Sequence, residues 1–157
     1  MKREMDGFTS KRVALVILED SGGRIALQLR DDIATIAHPN HWALFGGKIE
    51  EGERPLCAAV REIEEELTIT LNSSKLVPLR VFHIEPGKEH HLFHYSVADE
   101  LDSAVLREGQ LYKRLSRKAI QQIRIDDRNI TPSHLEMLNW YWQNVAVSDV
   151  YDLLEAQ

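Results

Sequence analysis

The chain has one cysteine, Cys57, so no intramolecular disulfide can form and nothing supports a secreted, disulfide-stapled fold. Long apolar runs are missing as well. The longest, Val13 to Leu18, is six residues, far below the roughly 20 that a membrane-spanning helix needs, and the charged start carries no cleavage-site pattern. The expectation is a soluble cytoplasmic protein with no membrane partner. Nor is there a basic excess: 19 Lys and Arg stand against 25 Asp and Glu, a formal charge of −6, which disfavours binding to a nucleic acid polymer through its backbone. Internal repeats, low-complexity tracts and interdomain linkers are absent. With 157 residues, 43% of them hydrophobic, the chain is long enough for one domain over 1–157 with a real core.

What is present concentrates between Gly46 and Ile69, GGKIEEGERPLCAAVREIEEELTI. The pattern predicts a helix over Pro55 to Leu67. On it Glu62, Glu65 and Glu66 fall at i, i+3 and i+4 and share one face, beside an apolar stripe of Leu56, Ala59, Val60, Ile63 and Leu67. Carboxylates so placed repel by roughly 0.2 to 0.5 kcal/mol per neighbouring pair in water, and by more in a cleft. Nothing basic at positions 69 or 70 neutralises them. Hard oxygen donors suit Mg²⁺ shared with phosphate oxygens. A solvated acidic helix face is the plainer reading of the helix alone, and the double glycine before it argues for a ligand, because glycine lets backbone approach closely.

These residues resemble the signature of the Nudix hydrolases: Gly, five residues, Glu, seven residues, Arg-Glu, an apolar residue, any residue, Glu-Glu, any residue, Gly, and a closing apolar residue. Gly47, Glu53, Arg61, Glu62, Ile63, Glu65, Glu66 and Ile69 fall on it, over 23 of the 157 residues. Thr68 departs, standing where the family has its second Gly, and a β-branched residue tolerates a left-handed helix exit poorly. A different helix exit is expected. The resemblance implies that Gly46, through its carbonyl, joins Glu62, Glu65 and Glu66 in holding Mg²⁺, with Mn²⁺ as a substitute, and that Glu53 and Arg61 brace the loop against the helix by an ion pair.

The remaining chain reads as strands at Arg12 to Leu18 and Arg24 to Arg30, joined in a hairpin by Ser21-Gly22-Gly23. A loop containing Pro39 leads to a short strand over Trp42 to Phe45. After the helix, Leu76 to Ile84 and His90 to Ala98 form a second hairpin around Glu85-Pro86-Gly87-Lys88. Leu111 to Leu115 reads as a strand, Ser116 caps a short helix to about Ile123, and Thr131-Pro132 starts a helix into Trp140-Tyr141-Trp142. Ser148 to Gln157 is ambiguous. This order predicts an α/β fold, a mixed sheet covered by helices on both faces, which is also the Nudix-type α/β/α sandwich that the resemblance implies.

Catalytic candidates are Glu53, Arg61, Glu62, Glu65 and Glu66, together with Glu108, which stands in a Glu-Gly-Gln context similar to that of MutT-type members. Substrate-binding candidates are Arg30, Trp42, Phe45 and Lys48. Trp42 and Phe45 flank the glycine turn as an aromatic surface or fill the core, Arg30 clamps a phosphate or faces solvent, and Lys48 matches the Gly-Gly-Lys-Ile-Glu opening of MutT-type members. His90 and His94 lie roughly 13 Å apart on an extended strand, too far to share an ion. The Trp140-Tyr141-Trp142 cluster reads as core or a homodimer contact, and Cys57 as buried.

The expected activity is Mg²⁺-dependent hydrolysis of a diphosphate linkage in a small nucleotide, a nucleoside di- or triphosphate in MutT-like fashion, with a carboxylate taking the proton of the attacking water. Cleavage of a nucleotide-sugar or ADP-ribose is the alternative. From other classes, a nucleotide sensor without turnover has no need of the full acidic set, and an isomerase on this scaffold needs a reactive Cys that Cys57 is poorly placed to be.

Overall fold

The computed structural model describes residues 11–146. Strands β1 (Lys11–Glu19), β2 (Ile25–Leu29), β3 (Trp42–Ala43) and β4 (Phe45–Lys48) precede helix α1 (Pro55–Leu67). Then come β5 (Val77–Phe82), β6 (Lys88–Ser96), β7 (Leu111–Leu115), the short helix α2 (Arg117–Ile120), the small strands β8 (Arg124–Ile125) and β9 (Arg128–Asn129), and helix α3 (Pro132–Tyr141), which runs into a π-turn. The main sheet has the order β3-β2-β1-β6-β5, with β4 also pairing β1 and β7 also pairing β2. β1 and β6 are parallel, from Lys11 opposite Lys88 to Glu19 opposite Ser96, and the other pairings are antiparallel, so the sheet is mixed.

β1 lies at the centre, and its unbroken apolar run follows from burial on both faces. Ala14, Val16 and Leu18 join the core layer under α1, while Leu15 and Ile17 join the layer under α3. Helices therefore cover both faces of an α/β sandwich. Pro55 starts α1 because its missing N–H would have had no helical partner there. Ala59, Ile63 and Leu67 are buried along its inner stripe. Ile63 and Leu67 each contribute about 1.5 to 3 kcal/mol by leaving water, and this fixes the rotation of α1 that turns Glu66 inward. No helix among the described residues is long and apolar enough to cross a membrane.

Four sequence expectations change. The single strand over Trp42 to Phe45 is two strands that break at Leu44, whose N–H donates to His134 Nδ1 (3.0 Å) instead of a strand partner. The helix after Ser116 ends at Ile120, and a β8–β9 hairpin follows whose turn residues Asp126 and Asp127 have φ 51° and 63°. Two consecutive positive φ values mark a type I′ turn, which Asp tolerates and which the composition alone concealed. Cys57 is exposed, not buried, because it lies off the inner stripe of α1. Finally, α1 keeps the left-handed exit that Thr68 was expected to refuse: Thr68 has φ 61° and ψ 27°, and its N–H bonds Glu64 O. The reading of Ser148 to Gln157 falls outside the described residues.

Candidate active site

The site forms where β4 delivers Gly46 and Gly47 against α1. Gly46 sits at φ 141°, and a Cβ there would lie 2.0 Å from Ala14 O, so the backbone of β1 leaves no room for a side chain. A Cβ on Gly47 would lie 2.4 Å from the Glu62 carboxylate. The double glycine is therefore what allows the carboxylate face of α1 to lie directly on the strand end.

Arg61 is the hub of the exposed side. Its Nε and Nη2 donate to the two Glu53 oxygens at 2.8 Å each, and Nη2 also reaches Lys48 O at 2.9 Å. Nη1 donates to Glu62 (2.9 Å) and Glu65 (3.3 Å). The Arg61 hydrogen bonds pull the Glu53 pKa down to about 2, and the same pairing holds the Arg61 guanidinium firmly charged. Glu53 Oε1 also accepts from Glu50 N, which closes the loop between β4 and α1.

Glu66 is the buried member, 2% exposed. Its oxygens accept from Gly46 N (2.9 Å) and Gln28 Nε2 (2.7 Å). Burial pushes its pKa up to about 8 against the lowering effect of those two bonds, and the charges of Glu108 and Glu62 add to the rise. Glu62 is raised in turn, by burial first, with Arg61 opposing. Gly46, Glu66 and Glu108 line an inner cavity of about 160 Å³ together with Gln28, Arg30 and Asp31. Arg30 Nε is fixed there by Ala37 O at 2.8 Å.

The fold thus brings Glu108 and Arg30 to the acidic ridge, 42 and 36 residues away from Glu66 in the chain respectively (108 − 66 and 66 − 30). Two aromatic candidates go elsewhere. Trp42 is 1% exposed in the α3-side core with its Nε1 donating to Ile125 O (2.9 Å), and Phe45 is fully buried in the α1-side core against Tyr112. Neither offers a ring face to a ligand, since alternation at the β3–β4 break points each into a core layer. Lys48 gives its carbonyl to Arg61, while its side chain is exposed beside Lys11, Arg12 and Glu51, away from the inner cavity. Gln28 was missed. Its signal was a polar residue between Ala26 and Arg30 on the face of β2 opposite Ile25, Leu27 and Leu29.

An oxygen-only donor set fits a hard divalent cation, and a buried carboxylate held up to about pH 8 beside other acids is relieved by one. The described residues do not gather three or more His, Cys, Asp or Glu side chains closely enough to hold one ion. The ridge oxygens are instead committed to Arg61, Gly46 N–H and Gln28, so a cation would compete with Arg61 for Glu62 and Glu65.

The chain is thus an α/β sandwich in which a glycine strand end is seated on a carboxylate helix and latched to it by an Arg–Glu pair. The family model described as the NUDIX domain matches residues 9–140, and the chain belongs to that family. It is 32% identical over 81 residues to an ADP-ribose pyrophosphatase of Bacillus subtilis (strain 168), covering 52% of this chain and 42% of that protein. It is 34% identical over 64 residues to the dihydroneopterin triphosphate diphosphatase of Escherichia coli (strain K12), covering 41% and 39%. The matched stretch thus spans less than half the length of these relatives. The structure of the E. coli dihydroneopterin triphosphate pyrophosphohydrolase superposes with a TM-score of 0.65 at 22% identity, over 85% of this chain and 96% of that one, a likeness of fold.

Proposed function

We propose that this chain hydrolyses the diphosphate linkage of a small nucleotide, a nucleoside di- or triphosphate or a nucleoside diphosphate joined to another group, with Mg²⁺ as cofactor and Mn²⁺ able to replace it. The observation that carries this reading is that Glu62 and Glu66 lie on the Gly46–Gly47 strand end, with Glu65 tied to Glu62 through Arg61 and Glu108 sharing the cavity of Glu66. The names of the relatives, a pyrophosphatase and a diphosphatase, point the same way.

Glu62, Glu65 and Glu66 would hold the cation together with the Gly46 carbonyl. Bound there, it withdraws charge from phosphoryl oxygens and acidifies water. Arg61 keeps the ridge in register with the loop through Glu53 and Lys48 O, so it acts as a positioning residue. Arg30 faces the inner cavity and supplies positive charge to a phosphate. In the reaction the water oxygen bonds to phosphorus, the bridging P–O bond breaks, and the water proton passes to a carboxylate, for which Glu66 and Glu108 are placed in the cavity.

Glu65→Gln tests the reading. Glu65 is exposed, so its loss leaves the fold intact, whereas turnover of a panel of nucleotides with Mg²⁺ should fall at least roughly a hundredfold. Near-normal turnover in the variant would defeat the assignment. Nucleotide binding without turnover in the unaltered protein would make the chain a sensor.

A further inference from the structure

A second hollow, of about 690 Å³, lies on the outer side of α1 and meets the acidic ridge at Arg61 and Glu65. Leu56, Val60 and Cys57 line it with apolar surface, and Arg54 and Arg107 flank it. Every other described arginine has an ion pair, a side-chain hydrogen bond or an aromatic ring beneath it. Arg54 and Arg107 have none, and both line this one groove.

In a chain of net charge −6, two guanidiniums without an ion-pair partner on a single hollow, one that Glu64 and Glu65 also line, have free donors for an anion. Glu64 and Ser73 complete the lining. A carboxylate and a hydroxyl suit the O–H groups of a sugar and would repel or ignore a second phosphate.

The loop that supplies Arg107 is fastened to the end of α1. Val105 N and Arg107 N donate to Leu67 O and Glu66 O at 2.9 and 2.8 Å, and Thr68 Oγ1 donates to Val105 O at 2.7 Å. Consecutive residues of that loop therefore serve the two sides of the ridge: Glu108 lines the inner cavity and Arg107 the outer groove. A diphosphate laid across the ridge has one end group on each side.

Resting on the hydrolase reading above, we propose that the outer groove is a second substrate subsite, in which Arg54 and Arg107 hold the phosphate of a polyhydroxylated leaving group while Glu64 and Ser73 take its hydroxyls. These two arginines then determine specificity for a nucleoside diphosphate carrying a sugar over one that ends in bare phosphate.

Cys57 provides the test, because it is the sole cysteine, exposed, and inside the groove. Its rate of maleimide labelling is measured in EDTA with saturating ribose 5-phosphate or inorganic pyrophosphate. The sugar phosphate should slow labelling about fivefold by covering the thiol, and R54Q/R107Q should abolish that protection. Steady-state hydrolysis of ADP-ribose by R54Q/R107Q should show KM raised about tenfold, exceeding any fall in kcat. An unchanged labelling rate, protection by pyrophosphate alone, or protection that survives in R54Q/R107Q would overturn the subsite. Protection without turnover of any nucleotide would instead sink the hydrolase reading and leave the groove standing.

Discussion

Glu66 shows how one residue couples fold stability to the site. Its inward direction is set by the neighbouring apolar positions Ile63 and Leu67, so the carboxyl is buried whether or not that suits its charge. With a folded pKa near 8 against an ordinary 4.5, the folded state binds an extra proton between those values. The stability from this proton is fully present below about pH 4.5 and is lost as pH rises through 8. Glu66→Gln should therefore melt several degrees higher than the unaltered protein at pH 8 in EDTA, while the two differ little at pH 4.5, by differential scanning calorimetry. Added Mg²⁺ should raise the melting temperature of the unaltered protein at pH 8 and that of the variant less.

At the scale of elements, the end of α1 is the informative place. A β-branched residue in left-handed geometry costs about 1 to 2 kcal/mol. The Thr68 hydroxyl offsets part of this through its 2.7 Å bond to Val105 O, which a glycine could not make. The departure from the family pattern thus trades backbone freedom for a tie to the loop bearing Arg107 and Glu108. Thr68→Val keeps the strain and loses the bond, so it should destabilise by about 1 kcal/mol in urea denaturation. Thr68→Gly loses both and should stay within about 0.5 kcal/mol of the unaltered protein. A Val variant as stable as the parent would show that the hydroxyl does not hold the loop.

Across the whole molecule, α3 is fastened to the sheet around two buried imidazoles. His90 on β6 has no partner at either ring nitrogen, and its ring lies 6.2 Å from that of His134, whose Nδ1 accepts from Leu44 N. Burial lowers the His90 pKa to about 4, with Lys88 adding and Glu85 opposing, and burial also holds His134 well down. Here the unfolded chain binds the extra protons. The associated stability is present above about pH 6.5 and is lost as pH falls toward 4. From His90 alone the loss between pH 7.5 and 5 should be about 2 kcal/mol. His90→Phe should remove that loss, so that from pH 7.5 to 5 its denaturation midpoint moves toward greater stability relative to that of the unaltered protein, and an unchanged difference between the two pH values would count against it.

The sequence by itself determined the local matter: the α1 face with its three glutamates, the glycine pair before it, the longer strands with their two hairpins, and the mixed sheet, though not the break at Leu44 or the β8–β9 hairpin, because period, turn chemistry and motif spacing are short-range properties. It left the destinations of Trp42 and Phe45 open, since an aromatic residue beside a glycine turn reads alike as core or as platform, and only the break at Leu44 sends both inward. It also could not bring Gln28 onto Glu66, set Arg107 and Glu108 on opposite sides of one ridge, or expose Cys57. Those contacts join residues distant in the chain, and their geometry is fixed by how α1 and its neighbouring loop pack on a shared sheet, which tertiary structure alone decides.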